Sequence, residues 1–471
     1  MTQVVIFGAG PAGLAAALEL AEQDVQVTLL EKQGYVGGNA GSFELADVQV
    51  DYGSHRLHPA SDPDVLSRLK GLLAEDLLDR PRHGRIRLLG RWIHFPLRPL
   101  DLLFRLHPRF AIGVGLDLAK KLIPGSNSNG DATFAEILEH GLGRTICTEF
   151  YFPYARKIWG LEPKKISPIQ AKKRVSANSI GKMILRLLPR RRATGAANTK
   201  GIFYYPRRGF GQISSALCEA AKQAGADIRL NVTIKQVDLS GTKPNIEYEE
   251  NGKQVLLQAD QVYSTIPITT LSRIISPPAP TAVADAGKSL EFRAMMLIYL
   301  VLEQDQFTEF DAHYFPELEY PFTRLSEPKN YSATTDPVGR TVLCAELPCA
   351  QTDAVWTASN EELRDLVTGG LAKAGLPVKS EISQVEVRRI PHAYPLYHIG
   401  YEQHFKRIDE WLETLDGVLT FGRQGLYAHD NTHHAIYMAQ AAARCLNDDG
   451  SINSQKWRDA RKIFETHTVE D

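Results

Sequence analysis

Val4-Val5-Ile6-Phe7-Gly8-Ala9-Gly10-Pro11-Ala12-Gly13 is the stretch that decides the fold of this chain. Val4 to Phe7 is a short, unbroken apolar run of β-branched and aromatic residues, the pattern of a central parallel strand. Residues 14–22, rich in Ala, Leu and Glu, predict a helix, and residues 25–30 predict a second strand ending at Glu31. Each glycine of the turn has a physical task. Gly8 permits the tight strand-to-helix turn, Gly10 lets backbone approach a pyrophosphate, and Gly13 lets helix and strand pack closely. Pro11 and Ala12 complete the turn, and the helix N-terminus beyond it supplies free N–H groups and a partial positive charge. Glu31 stands where a carboxylate can accept both hydroxyls of a ribose. A lone glycine triplet is a weak signal; embedded in strand–turn–helix–strand–Glu it specifies a dinucleotide.

The next segment selects FAD over NAD. Lys32-Gln33-Gly34-Tyr35-Val36-Gly37-Gly38-Asn39-Ala40-Gly41-Ser42 is a second Gly-rich loop, followed by a predicted strand over 43–50 and then Asp51-Tyr52-Gly53-Ser54-His55-Arg56. A cofactor whose ribityl chain and flavin extend past the pyrophosphate needs this second close backbone approach. Near the other end, Val418-Leu419-Thr420-Phe421 predicts another short strand, Gly422-Arg423-Gln424-Gly425 a turn, and residues 433–445 an Ala-rich helix. The N-terminus of that helix could set its dipole against the carbonyl end of a flavin and favour the anionic reduced form.

Composition sets the bounds. The chain has 471 residues, 43% hydrophobic and 23% charged, with a formal net charge of −1, so no global charge favours nucleic acid. Five scattered cysteines form no CxxC and read as reduced thiols. MTQVVIFGAG runs straight into a strand pattern with no signal-peptide features, and no apolar run is long enough to span a bilayer. Cytoplasmic is the expectation. The sequence assigns no oligomeric state.

In the middle, Tyr205-Pro206-Arg207-Arg208-Gly209-Phe210-Gly211-Gln212 precedes a predicted helix over 213–224, and residues 227–237 alternate as one strand that includes Val232. A further strand runs into the turn ending at Pro267, and strands are predicted over 294–302 and 340–346. These segments predict one discontinuous cofactor domain (1–90, 200–270 and 411–447), a substrate domain inserted twice (91–199 and 271–410), and a polar tail over 448–471.

At this point the chain resembles the superfamily of FAD-dependent amine oxidases, protoporphyrinogen oxidases, carotenoid desaturases and UDP-galactopyranose mutases, through residues 1–447. The resemblance is carried by Gly90-Arg91-Trp92-Ile93-His94-Phe95-Pro96, by Pro153-Tyr154-Ala155-Arg156-Lys157-Ile158-Trp159-Gly160, by the Tyr205–Gly211 turn, by the segment from Arg324 to Ser332, and by Gly422-Arg423 through Asn431-Thr432-His433-His434. It implies an α/β fold, with an FAD-binding Rossmann-like domain of glutathione-reductase type and an inserted α+β substrate domain. It implies cofactor contacts from Gly8, Gly10, Pro11, Ala12, Gly13, Glu31, Lys32, Gly38, Asn39, Ala40, Gly53, Ser54, His55, Val232, Gly422, Arg423, Asn431, Thr432 and His433. The chain departs from the pattern at Arg208 and His433, where Gly and Asp are usual, and at Asn39, where classical amine oxidases carry Arg.

Candidate chemistry rests on three side chains. His55 could hydrogen-bond the isoalloxazine or move a proton, or it could anchor loop backbone. Arg324 could grip an anionic group of a small-molecule substrate through two hydrogen bonds, or it could sit in an internal ion pair. Tyr394 could line a pocket with Tyr397 and Tyr401, or the three could be core. Arg423 is assigned to the pyrophosphate. His398, His429, His433 and His434 share no metal-ligand spacing, so no metal is expected. Residues 182–192 (KMILRLLPRRR) could touch an anionic membrane surface, but Pro189 interrupts any helix and a solvated basic loop is the preferred reading. The expected function is FAD-dependent oxidation of a small organic substrate by hydride transfer to flavin N5. The alternative is a redox-neutral mutase acting on a nucleotide sugar.

Overall fold

The computed structural model describes residues 1–97, 101, 104–121, 133–174 and 201–469. The basic stretch 182–192 lies outside them. A five-stranded parallel sheet lies at the centre, in the order Val418–Thr420, Gln261–Ser264, Gln3–Phe7, Gln26–Leu30, Asp227–Arg229. The unbroken apolar run Val4–Phe7 has a simple cause: alternate residues of one strand serve two cores. Val4 and Ile6 pack beneath helices Pro11–Ala21, Gln212–Gln223 and Thr432–Arg444. Val5 and Phe7 face the opposite way, toward the antiparallel strands Val232–Asp238 and Asn245–Glu250 and helix Tyr401–Glu413.

A second sheet of seven strands runs Ile382–Pro395, Phe292–Leu302, Thr341–Cys349, Arg324–Ser326, Ala312–Tyr314, Gly84–Leu88, Arg91–Phe95. Its second strand, Phe-Arg-Ala-Met-Met-Leu-Ile-Tyr-Leu-Val-Leu, is again split between two cores. Met296, Ile298 and Leu300 pack on helix Asn360–Lys373, while Leu297, Tyr299 and Val301 pack on residues 45–52 of the cofactor loop. The Tyr299 hydroxyl donates to the Asp51 carbonyl at 2.6 Å. This sheet is thereby fastened directly to the segment that leads into Gly53-Ser54-His55.

Three single strands expected from sequence are broken in the structure. Residues 43–50 form a hairpin, Ser42–Leu45 against Val48–Asp51, because Ala46 and Asp47 both take left-handed backbone, φ 53° and 63°. Residues 227–237 split at Asn231 (φ 58°) into Asp227–Arg229 and Val232–Asp238, which join different sheets. Residues 255–267, expected as one strand running into a turn, divide into Lys253–Gln258 and Gln261–Ser264, which also join different sheets. The expected domain edge at 91 falls inside the hairpin of Gly84–Leu88 and Arg91–Phe95, and those at 270 and 410 fall within helices Ile268–Ile274 and Tyr401–Glu413. The tail is an ordered helix, Ser454–Glu465, which buries Trp457 and Phe464 against the first core.

Candidate functional site

The turn after the first strand is closed on every side but one. Gly8 has φ +97°, and a β-carbon there would stand 2.7 Å from Thr265 Oγ1, whose hydroxyl donates to the Phe7 carbonyl at 2.7 Å. A β-carbon on Gly13 would stand 1.9 Å from the Gly8 carbonyl oxygen, so only glycine lets the helix approach the strand. On Gly10 the same construction meets nothing within 4 Å, and no side chain caps the helix that Pro11 and Ala12 open. The open side of the cradle is therefore the side where N–H groups of a helix N-terminus lack protein partners, which is the geometry that binds a pyrophosphate.

The second Gly-rich loop lies on the first. The Gly37 N–H donates to the Ala9 carbonyl at 2.7 Å, and a β-carbon on Gly38 would be 3.5 Å from the Gly10 α-carbon. Glu31 Oε2 accepts the Ala9 N–H at 2.7 Å and Oε1 the Gln33 N–H at 2.8 Å. Val232, fully buried, donates its N–H to the Glu31 carbonyl at 2.8 Å. Lys32 is exposed, Ala40 is buried, and Asn39 Nδ2 donates to the His392 carbonyl at 3.2 Å. The Gly209–Gly211 turn presses on this loop, and a β-carbon on Gly211 would be 2.3 Å from the Ser42 nitrogen. Arg208, where the family pattern has Gly, points outward to Asp76.

At the far end of the same groove, Gly422 (φ +79°) packs against Ala12. Asn431, Thr432 and His433 form the start of helix Thr432–Arg444, and the Asn431 N–H donates to His434 Nδ1 at 3.2 Å. His433 is buried, its Nδ1 has no hydrogen-bond partner among the described residues, and burial draws its pKa down to about 4. The ring is neutral at pH 7. Arg423 directs its guanidinium to the carbonyls of Ala393 (2.8 Å) and Asp430 (3.3 Å), with the Tyr394 ring 5.1 Å away. Asp430, His434 and the tail residue His467 bring donor atoms within 4.8 Å of one another, a grouping that sequence spacing did not show. The two imidazoles stack nearly parallel, 4.2 Å apart, and His434 already accepts a backbone N–H.

A second cluster is organised around Gly53-Ser54-His55. Gly53 has φ +88°, and the Ser54 N–H donates to Glu346 Oε1 at 2.7 Å. His55 Nε2 lies 2.9 Å from the Tyr52 carbonyl, where a ring N–H donates, and the ring stacks on Phe210 at 5.1 Å. The anchoring contact foreseen as one option for His55 is present. Burial holds its pKa below the ordinary histidine value against the opposing pull of Asp51. Asp51 is itself buried, accepts from Tyr205 (2.6 Å), Ser42 (2.6 Å) and the Phe210 N–H (2.8 Å), and is raised above the usual carboxylate range by desolvation.

Arg324 makes the internal ion pair that its sequence left open beside a substrate contact. Its Nε and Nη2 bind both oxygens of Glu346, at 2.9 and 2.8 Å, and Nη2 also meets the Ser54 carbonyl at 3.2 Å. The two-pronged grip expected for a substrate anion is thus taken by a carboxylate of the protein that is only 3% exposed. Arg56, which the sequence reading quoted but gave no role, lies beside it. It donates to the Tyr314 hydroxyl at 2.9 Å, pairs with buried Asp311 at 3.2 Å, and sits over the Phe203 and Tyr331 rings. The Tyr331 hydroxyl is hydrogen-bonded to the Ser54 hydroxyl. Tyr394 stacks on His429 at 5.8 Å, but Tyr397 and Tyr401 are core, stacked at 4.1 Å and nearly fully buried. No local pattern announced Glu346 or Tyr331; Glu346 is an acid inside the otherwise apolar strand Thr341–Cys349.

Comparison with known proteins agrees with this geometry. Residues 11–446 match the family described as flavin containing amine oxidoreductase. A protein named "Probable UDP-galactopyranose mutase" in Klebsiella pneumoniae is 29% identical over 174 residues, covering 35% of this chain and 42% of that protein. The dTDP-fucopyranose mutase of Escherichia coli is 26% identical over 172 residues, 35% of this chain and 44% of its own length. The chain thus spans under half the length of these curated relatives. Among solved structures, reduced UDP-galactopyranose mutase superposes over 100% of both chains with a TM-score of 0.80 at 20% identity. Cyclohexylamine oxidase of Brevibacterium oxydans covers 94% of this chain and 98% of its own, with a TM-score of 0.66 at 16% identity. Among the described residues no helix is long and apolar enough to cross a membrane, and the five cysteines are free and buried. With the glycine cradle, the second loop and the C-terminal turn assembled along one groove, and with nearly the whole length matched, the chain belongs to the flavin containing amine oxidoreductase family and its cofactor is FAD.

Proposed function

We propose that this protein oxidises a small, uncharged or weakly charged organic substrate at a C–H bond. The observation that carries the reading is the pairing of both guanidiniums at the reacting face with buried carboxylates, Arg324 with Glu346 and Arg56 with Asp311. These two cations are thereby neutralised within the protein, and the face is lined by Tyr314, Tyr331 and Tyr394, which suits an organic substrate better than a diphosphate. Bound FAD supplies the hydride acceptor at N5. The open turn at Gly10 would hold the pyrophosphate, Glu31 the ribose, and the Gly38–Ala40 and Gly53–His55 loops the remainder of the cofactor. The N-terminus of helix Thr432–Arg444, with Asn431 and His433, would supply N–H groups and a partial positive charge to the ring of the bound cofactor. Tyr394 and the hydroxyls of Tyr314 and Tyr331 would orient the substrate.

The redox-neutral alternative, an isomerase of nucleotide sugars, is favoured by the 29% identity to the Klebsiella pneumoniae protein over 174 residues. One experiment separates the two. The FAD-loaded protein is reduced anaerobically, returned to air, and assayed for consumption of an electron acceptor with amines, carbon acids and UDP-sugars. Stoichiometric acceptor consumption with an organic substrate supports the oxidase. Turnover of a UDP-sugar only by dithionite-reduced protein, with no acceptor consumed, overturns it in favour of the isomerase.

A further inference from the structure

Helix Pro108–Lys121 is two-faced in an unusual sense. Its inner positions Phe110, Val114 and Leu118, spaced by four, pack on the core that also holds Ile146, Trp159, Tyr314 and Tyr394. Its outer positions are also apolar. Ile112 is 64% exposed and Leu116, one turn on, is 58% exposed, with exposed Ala119 a further turn along the same face. Phe104, just upstream, is 75% exposed. Other large exposed apolar side chains, such as Leu256 and Val338, stand singly along the chain. A row of three within 13 residues, 104 to 116, is a patch of the kind that marks a contact surface.

The charges around the patch identify its partner. Exposed positions from Phe104 to Lys120 include Arg105, Arg109 and Lys120 and no acidic side chain. The helix's own acid, Asp117, is turned inward, where it accepts the Thr145 N–H at 2.7 Å. Arg109 keeps 80% of its side chain in solvent even though Glu149 lies 3.6 Å away. On the helical wheel, Arg109 and Lys120 lie along one edge of the Ile112–Leu116 stripe. Apolar centre with basic margin is the pattern of a helix lying in the headgroup region of an anionic bilayer. A second copy of this chain fits less well, since a two-fold contact would set Arg109 and Lys120 against themselves.

We infer that helix Pro108–Lys121, with Phe104, docks this protein on an anionic lipid surface. The inference does not depend on which reaction the flavin site performs. Because the inner face of the helix packs on the core containing Tyr314 and Tyr394, docking holds the substrate side of the molecule next to the bilayer.

The test uses the full-length, FAD-loaded protein in sedimentation with vesicles of phosphatidylcholine alone or with added phosphatidylglycerol. The wild type is expected to sediment with the anionic vesicles and to be released by salt. Arg109→Gln with Lys120→Gln should weaken that binding by about five-fold per charge removed. Ile112→Ser with Leu116→Ser should weaken it by about ten-fold or more, with an unchanged melting temperature because both positions are exposed. Wild-type protein left in the supernatant with both vesicle types overturns the inference, as does a serine variant that binds as well as wild type. Light scattering without lipid that shows a dimer, dissolved by the serine substitutions, also overturns it and makes the face a subunit interface.

Discussion

A β-carbon on Gly422 would stand 3.0 Å from the β-carbon of Ala12, so the turn after the last strand of the parallel sheet rests on the first turn of its first helix. The two glycine motifs at opposite ends of the chain form one groove.

That contact separates two glycine substitutions. Gly422→Val adds a branched side chain at φ +79°, costing about 1–2 kcal/mol for the left-handed backbone alone, and pushes Ala12 off the cradle. Lower melting temperature and loss of bound flavin, read as the ratio of visible to protein absorbance, are expected together. Gly10→Ala meets nothing in the protein. Its melting temperature without FAD should match wild type, while its FAD affinity falls by about ten-fold or more from intrusion on the pyrophosphate.

The Arg324–Glu346 pair predicts a non-additive cycle. Glu346→Leu leaves a buried guanidinium and the Ser54 N–H unpaired and should destabilise by about 3–5 kcal/mol. Arg324→Met with Glu346→Leu removes both charges and should recover a large part of that loss. Chemical denaturation of the two single variants and the double variant measures the coupling.

Lys157 ties the segment Pro153–Gly160 to the seven-stranded sheet. Its Nζ donates to the carbonyls of Phe315 (2.6 Å), Glu317 (3.1 Å) and Phe322 (2.6 Å). Lys157→Met strips all three and should cost about 2–4 kcal/mol in urea unfolding, with little change in the flavin spectrum.

His433 gives stability a definite pH dependence. Its folded pKa of about 4 lies below the ordinary 6.5, so between those values the unfolded chain binds a proton that the folded protein refuses. The associated stability is fully present above pH 6.5 and is lost as pH falls toward 4, at up to about 1.4 kcal/mol per unit. Melting temperature measured from pH 7 to pH 5 should fall, and His433→Asn should reduce the slope without abolishing it, because burial also draws neighbouring His434 down to about 3.

What was legible in the sequence is what local chemistry dictates. Glycines at fixed spacing, an apolar run too uniform for a one-sided strand, and an acid at the end of the next strand each act through neighbours within one turn or one strand. They identified the parallel sheet and the cofactor. Breaks at Ala46-Asp47 and Asn231 were missed because Ala, Asp and Asn do not require left-handed backbone; the surrounding sheets impose it.

That this chain builds a dinucleotide cradle enlarged for FAD could be read from residues alone, since steric access at Gly8, Gly10 and Gly13 is a property of those residues. The ion pairing of Arg324, by contrast, follows from the packed sheet. Arg324 reads identically whether its partner is a substrate or a protein carboxylate. The partner, Glu346, arrives from a neighbouring strand whose register places it opposite Arg324. Pairing across a sheet depends on register and burial, and neither is written in the few residues around an arginine.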